Sequence, residues 1–206
     1  MRLTNTQLRQ IIKEELETTL NEMASFANVP DNYMLASDFD KSKLPNTPGV
    51  YFLFMDIIAM NKLDLSPWID EDLSKCHKVN HSGKEYRLVY IGIAGEKNPL
   101  RSRVAGQHFG QSTNIKASTI RQTLGSIQTP PTFSPMDLSN FEKNNMMLSW
   151  QSTDSKKEAL KIEDDYLKTC PFPLNLRGQG AMTSHLKPLG VLRKQLRQAR
   201  NKSRGR

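Results

Sequence analysis

Two short glycine-flanked runs constrain this chain more than any other feature. Pro48-Gly49-Val50-Tyr51-Phe52-Leu53-Phe54 is a turn signal followed by aromatic and aliphatic residues, and Tyr86-Arg87-Leu88-Val89-Tyr90-Ile91-Gly92 is a second such run ending on glycine. β-Branched and aromatic side chains suit a pleated, packed surface, so both runs predict buried strands. Gly92 and Gly95 then open a turn, and Leu100-Arg101-Ser102-Arg103-Val104, leading to Gln107-His108, fits a helix. Two phenols thereby converge with Arg101, Arg103 and His108. A phenol donates or accepts a proton and Arg presents a planar fork of donors to phosphate oxygens, so this grouping suits a phosphodiester.

The acidic partner is Glu163. Segment 156–168 opens with Ser155 three residues before Glu158, a capping-box pattern, and Pro171 closes it. Ala159, Leu160, Tyr166 and Leu167 stand three or four residues from Glu163, so it lies on the stripe expected to face the core, while Asp164 and Asp165 point to solvent. An ionised carboxylate on such a stripe is costly unless it is paired or binds a metal. One inward carboxylate, completed by waters and a substrate phosphate, suits Mg2+.

From about Leu44 to about Leu176 the chain resembles the GIY-YIG endonucleases, in a bacterial or bacteriophage branch. Gly49-Val50-Tyr51 and Val89-Tyr90-Ile91-Gly92 match the paired motifs, followed in family order by Arg103, a third strand at Met146-Met147-Leu148-Ser149-Trp150, Glu163 and a closing Pro171-Phe172-Pro173-Leu174-Asn175. Ser118-Thr119-Ile120-Arg121-Gln122-Thr123-Leu124-Gly125 is similar to a segment of one bacterial branch. That branch also continues into a leucine- and arginine-rich C-terminal helix. The resemblance implies an α+β domain with a central antiparallel three-stranded sheet flanked by helices. It also implies hydrolysis of DNA phosphodiester bonds with one divalent metal ion, Mg2+ or Mn2+. By that resemblance Tyr51 is the general base or orients the water, Tyr90 and Arg103 hold the scissile phosphate, and Glu163 is the metal ligand. Gly92, Arg101, His108, Arg121 and Asn175 are expected on the substrate side, with Asn175 as a hydrogen-bonding support.

The chain departs from the family in places. Gln107 stands four residues after Arg103, where the family often has histidine, and His108 follows one later. The spacing from Tyr51 to Tyr90 is long, which makes Asp56 to Ser82 an insertion able to shape substrate choice. The pattern Leu-Arg-x-Arg favours Arg103 over Arg101. The alternative reading is a noncatalytic DNA-binding or virion-packaged protein that retains the fold.

At 206 residues one domain is expected, over 48–176. Residues 1–22 read as an amphipathic helix, with a Thr4/Gln7 capping pattern and Leu8, Ile11, Ile12, Leu16 and Leu20 at helical spacing, suited to docking on a protein partner or on the domain. Its opening resembles leaders of proteins of large tailed bacteriophages, and Leu20-Asn21-Glu22 looks like a prohead-protease site. Residues 23–47 read as a linker. Gly178 and Gly180 mark a loop, and Leu186, Leu189, Leu192 and Leu196 suggest a helix across 177–192. The tail 193–206 holds seven Lys and Arg and no acidic residue, against a formal net charge of +8 for the whole chain. Such a tail adds sequence-independent, salt-dependent affinity for nucleic acid through counterion release.

Cys76 and Cys170 make no disulfide framework, no stretch suits a membrane span and no secretory signal opens the chain. The expected location is therefore the cytoplasm of a bacterial host cell, or the virion. Cys76-His77 and His81 lack a second cysteine pair at ligand spacing, which favours turn chemistry over zinc. Trp68 reads as an anchor for the insertion, and Lys116 with Arg121 as phosphate contacts or, equally by pattern, a solvated basic face. Nothing in the sequence speaks to oligomeric state.

Overall fold

The computed structural model describes residues 4, 7, 9–14, 29–63, 76–109, 118–128, 134–169 and 172–175, with 191, 194, 195 and 198 further on. Trp68, Lys116, Cys170, Pro171, Leu20-Asn21-Glu22, the leucines from Leu186 to Leu196 and the arginines of the tail lie outside the described residues.

The central strand is β2, Gly49–Asp56, in which every residue is buried. A continuous apolar run of this kind fits a strand covered on both faces. It pairs antiparallel with β4, Lys84–Ala94, on one side and β5, Met146–Ser152, on the other. These three are the predicted strands, but the sheet has five, in the order β1-β5-β2-β4-β3. The expectation of three is corrected at both edges. β1, Met34–Leu35, comes from the segment read as a linker and pairs with β5. β3, Lys78–His81, comes from the insertion and pairs with β4. Both are polar or very short edge strands with no alternating apolar signature, which is why the sequence pattern hides them. The β3–β4 turn is tight because Ser82 and Gly83 both take positive φ, 51° and 76°, matching the twist of a two-residue hairpin.

Helices cover both faces. On one, α2 (Leu100–Val104), α3 (Thr119–Ile127) and α4 (Pro135–Asn145) pack Leu100, Val104, Ile120, Leu124 and Leu138 against Tyr51, Leu53, Tyr90 and Leu148. On the other, α5 (Lys156–Thr169) packs Ala159, Tyr166 and Leu167 against Val50, Phe52 and Ile91. A short α1, Ile57–Lys62, is capped by Asp56, which accepts from Ile58 N at 2.8 Å. The 29–47 segment belongs to the packed body: Met34, Ala36 and Leu44 are buried in the first cluster. At the N-terminus the capping box forms, with Thr4 N donating to Gln7 Oε1 (3.0 Å) and Gln7 N to Thr4 Oγ1 (3.3 Å). Among the described residues no helix is long and apolar enough to cross a membrane.

Candidate active site

The antiparallel register sets Tyr51 opposite Gly92 and Leu53 opposite Tyr90, so the two tyrosines share a face with ring centroids 6.2 Å apart. Tyr51 leans across β4 over Gly92: a Cβ there would stand 2.4 Å from Tyr51 Oη. Only glycine leaves that space. Between Leu53 and Phe54 the register slips, since Leu53 faces Tyr90 and Phe54 faces Leu88, leaving Val89 as a bulge. The bulge turns both Val89 and Tyr90 to the site face, while Leu88 and Ile91 face the other core.

The outer edge of β4 here is closed by 172–175 in place of a strand. Leu174 N donates to Val89 O at 2.9 Å. The Asn175 amide spans Ile91, donating from Nδ2 to its carbonyl and accepting at Oδ1 from its N–H, both at 2.9 Å. Asn175 thus holds the backbone between Tyr90 and Gly92. Through these two bonds it acts on the site by way of β4.

Arg103 sits in the first turn after Pro99, whose carbonyl accepts from Arg103 N at 2.7 Å. Residues Ala105–Phe109 then form a wide π turn. In such a turn residues five apart come together. The extra residue between Arg103 and His108 is thereby absorbed, and the imidazole reaches the tyrosines despite the shifted spacing. His108 Nε2 lies 3.0 Å from Tyr51 Oη, and Nδ1 lies 3.1 Å from Ser118 Oγ. Ser118 caps α3 by accepting from Arg121 N at 3.2 Å.

The electrostatics of the four central residues are coupled. Burial raises the pKa of Tyr51, opposed by the charge of Arg103 and by hydrogen bonds from Arg103 and Tyr90. Burial pushes Tyr90 well above the usual phenol value, and Tyr51 adds to the rise. Glu163, half-buried on α5, is raised to about 7 by burial and by Asp164, against the pull of Arg103. Burial and the charges of Arg103 and Arg121 push His108 down to about 3, so the imidazole is neutral. Arg103 Nε is buried without a hydrogen-bond partner among the described residues. Arg103 also lines an open cleft of about 560 Å³ with Gly95, Glu96, Lys97, Asn98 and Lys156. An unpaired guanidinium donor at a basic cleft is a place for an anion.

The structure thus brings together Tyr51, Tyr90, Arg103 and Glu163, with Gly92, His108 and Asn175 around them. Two expected substrate contacts stand elsewhere. Arg101 is exposed and donates to Leu44 O at 2.8 Å, tying α2 to the preceding segment. Arg121 is fully buried, with Nε 3.2 Å from Glu142 Oε2, an ion pair without the alignment of a hydrogen bond. Its Nη2 donates to Ser139 Oγ (2.7 Å) and Pro135 O (3.0 Å). Arg121 therefore joins α3 to α4 rather than meeting phosphate. Leu160 is exposed rather than on the buried stripe, which leaves Glu163 at the stripe's edge. Ser118 and Glu142 escaped the reading of individual site residues; only the cap position of Ser118 ahead of a helix signals either one.

A family model of the GIY-YIG catalytic domain matches residues 49–202. The chain belongs to the GIY-YIG family. Neither the curated proteins nor the solved structures give a significant match. GIY-YIG proteins are generally endonucleases, which implies binding to DNA, and they typically use a divalent metal. In this GIY-YIG domain no group of three His, Cys, Asp or Glu forms a metal cage among the described residues. Among the described residues Glu163 is the carboxylate that stands with Tyr51, Tyr90 and Arg103. That donor set fits a cation that keeps several waters and takes further ligands from a substrate phosphate, as Mg2+ does.

Proposed function

We propose that this protein is a metal-dependent endonuclease that hydrolyses DNA phosphodiester bonds at Tyr51, Tyr90, Arg103 and Glu163. The observation that carries this reading is the meeting of two buried phenols, one guanidinium with an orphaned Nε and one half-buried carboxylate. A DNA phosphate entering the cleft meets Arg103 first, and the planar fork orients its non-bridging oxygens. Tyr90, which turns its proton to Tyr51 in the free site, keeps that proton and redirects it as a hydrogen bond to the same phosphate. Tyr51 orients the attacking water and, once its own proton has passed to solvent, accepts the water's proton as the phenolate. The new P–O bond forms from that water as the bond to the leaving oxygen breaks. A cation held by Glu163 would supply Lewis acidity and stabilise the leaving oxygen. Lys97 and Lys156 extend the positive cleft, and the tail 193–206 adds salt-dependent affinity. The N-terminal leader resemblance supports a bacterial or bacteriophage setting, in the host cytoplasm or the virion.

The test is plasmid cleavage by the purified chain with Mg2+ or EDTA, beside Glu163→Ala. Nicking or linearisation that needs the metal and disappears in the variant is the expected result. Plasmid left intact and retarded equally by both proteins would overturn the enzyme reading in favour of noncatalytic DNA binding.

A further inference from the structure

We propose that Ser118 is a positioning residue that keeps the His108 proton on Nε2, so that the imidazole donates to Tyr51 instead of accepting from it. The Ser118 hydroxyl has one proton to give, and its oxygen already accepts Arg121 N–H. Its other contact among the described residues is His108 Nδ1, 3.1 Å away. If Nδ1 carried the proton, Ser118 Oγ would accept twice and its own proton would face no acceptor, although Ser118 is fully buried. Folded proteins rarely leave such a group unpaired. With Nδ1 bare, Ser118 donates to it, and the single proton of the neutral imidazole falls on Nε2, 3.0 Å from Tyr51 Oη. The neutral state agrees with the strong depression of the His108 pKa by burial, Arg103 and Arg121.

Every donor then points one way, from the N-terminal turn of α3 through Ser118 and His108 to Tyr51. The Tyr51 oxygen receives His108 besides Arg103 and Tyr90. When Tyr51 gives up its proton, the negative charge on that oxygen is stabilised by His108 and Arg103. Which nitrogen is protonated is set by what the other one meets. Here a serine that caps a helix sets it, so the cap and the active site share one hydroxyl.

The catalytic consequence rests on the nuclease reading, whereas the tautomer does not, and the experiment separates them. In the full chain with 15N-labelled histidine, long-range 1H–15N correlation spectra at neutral pH report the proton position. The signal of His108 is assigned by its loss in His108→Gln. The expected pattern is a protonated Nε2 and a bare Nδ1; a protonated Nδ1 would overturn the proposal. Ser118→Asp then divides positioning from capping. Aspartate accepts from Arg121 N–H at least as well as serine, so the helix cap survives, but a carboxylate has no proton to give and draws the imidazole proton to Nδ1. The expected outcome is a reversed tautomer with DNA cleavage slowed about 100-fold at unchanged KM, the scale of losing one aligned donor. A Ser118→Asp protein that reverses the tautomer yet cleaves at the wild-type rate would refute the positioning role. If Ser118→Asp does not fold, the wild-type spectrum still decides the tautomer. A wild-type chain that cleaves no DNA would instead sink the nuclease reading and leave the tautomer result standing.

Discussion

Gly92→Ala tests whether the placement of Tyr51 is what this site depends on. The added methyl would stand 2.4 Å from Tyr51 Oη, 2.5 Å from Tyr51 Cζ and 2.9 Å from Tyr90 Cε1. Non-bonded heavy atoms settle at about 3.5 Å or more, so Tyr51 must withdraw by about 1 Å. It is fully buried, with His108 3.0 Å from its oxygen, so the shift disturbs that hydrogen bond as well. Overpacking of this kind costs about 1–3 kcal/mol. A domain of ordinary stability, about 5–15 kcal/mol, stays folded through that loss. A misplacement of about 1 Å at the reacting groups, by contrast, costs about 100-fold in rate. The variant is thus expected to remain folded and to lose cleavage. Urea unfolding followed by circular dichroism reads the first quantity, and single-turnover plasmid nicking at saturating protein reads the second. Gly49→Ala is the comparison: its methyl would meet the Gln151 carbonyl at 2.3 Å and Leu100 Cδ1 at 2.5 Å, away from both phenols. It should cost at least as much stability but keep far more of the rate in its folded fraction. The reasoning is refuted if Gly92→Ala nicks DNA within about twofold of wild type while its stability falls as calculated.

Two further outcomes follow from buried groups. Asn175→Ala leaves the N–H and carbonyl of Ile91 without their 2.9 Å partners, and at about 1–3 kcal/mol for each unsatisfied group the loss should be about 2–6 kcal/mol in urea unfolding. Asn175→Asp, which turns an acceptor toward the Ile91 carbonyl, should be no better tolerated. A loss under about 0.5 kcal/mol for the alanine would mean that the amide does not hold this edge. His108 gives a pH dependence. Its folded pKa, about 3, lies below the ordinary 6.5, so the unfolded chain binds the extra proton between those values. The stability it contributes is complete above pH 6.5 and is lost as pH falls toward 3. Between pH 7 and pH 5 the loss is about 2 kcal/mol, from about 1.4 kcal/mol per pH unit. Glu163 and Glu142, raised to about 7 and about 8, slope the opposite way, so the difference in unfolding free energy between wild type and His108→Gln is the quantity that should follow this slope; a pH-independent difference would remove His108 as the cause.

What the sequence made legible is what local chemistry controls. The runs around Tyr51 and Tyr90 announce strands because aromatic and β-branched residues pack on a pleat, and the register that pairs Tyr51 with Gly92 follows once the strands lie antiparallel. The cap of α5 was visible too: Glu158 N donates to Ser155 Oγ at 3.2 Å. Arg121 was not legible, because a basic residue on a helix next to polar neighbours looks solvated until Glu142, twenty-one positions on, is folded against it. β1 and β3 stayed hidden for a related reason. An edge strand gains from its one neighbour, and neither Met34-Leu35 nor Lys78 to His81 carries a pattern that names the neighbour.

His108 shows where spacing alone misleads. Four residues is the distance between stacked positions of an ordinary α-helix, so a histidine five residues after Arg103 looks displaced from the site. The π turn at Ala105–Phe109 widens the helix by one residue there, and the imidazole arrives 3.0 Å from Tyr51. The turn leaves Gln107 Oε1 buried without a hydrogen-bond partner among the described residues. A helix irregularity with an unsatisfied polar atom beside it is a cost that packing alone gives no reason to keep. The return on that cost is the contact between His108 and Tyr51, which joins the start of α3 to the oxygen at the centre of the site.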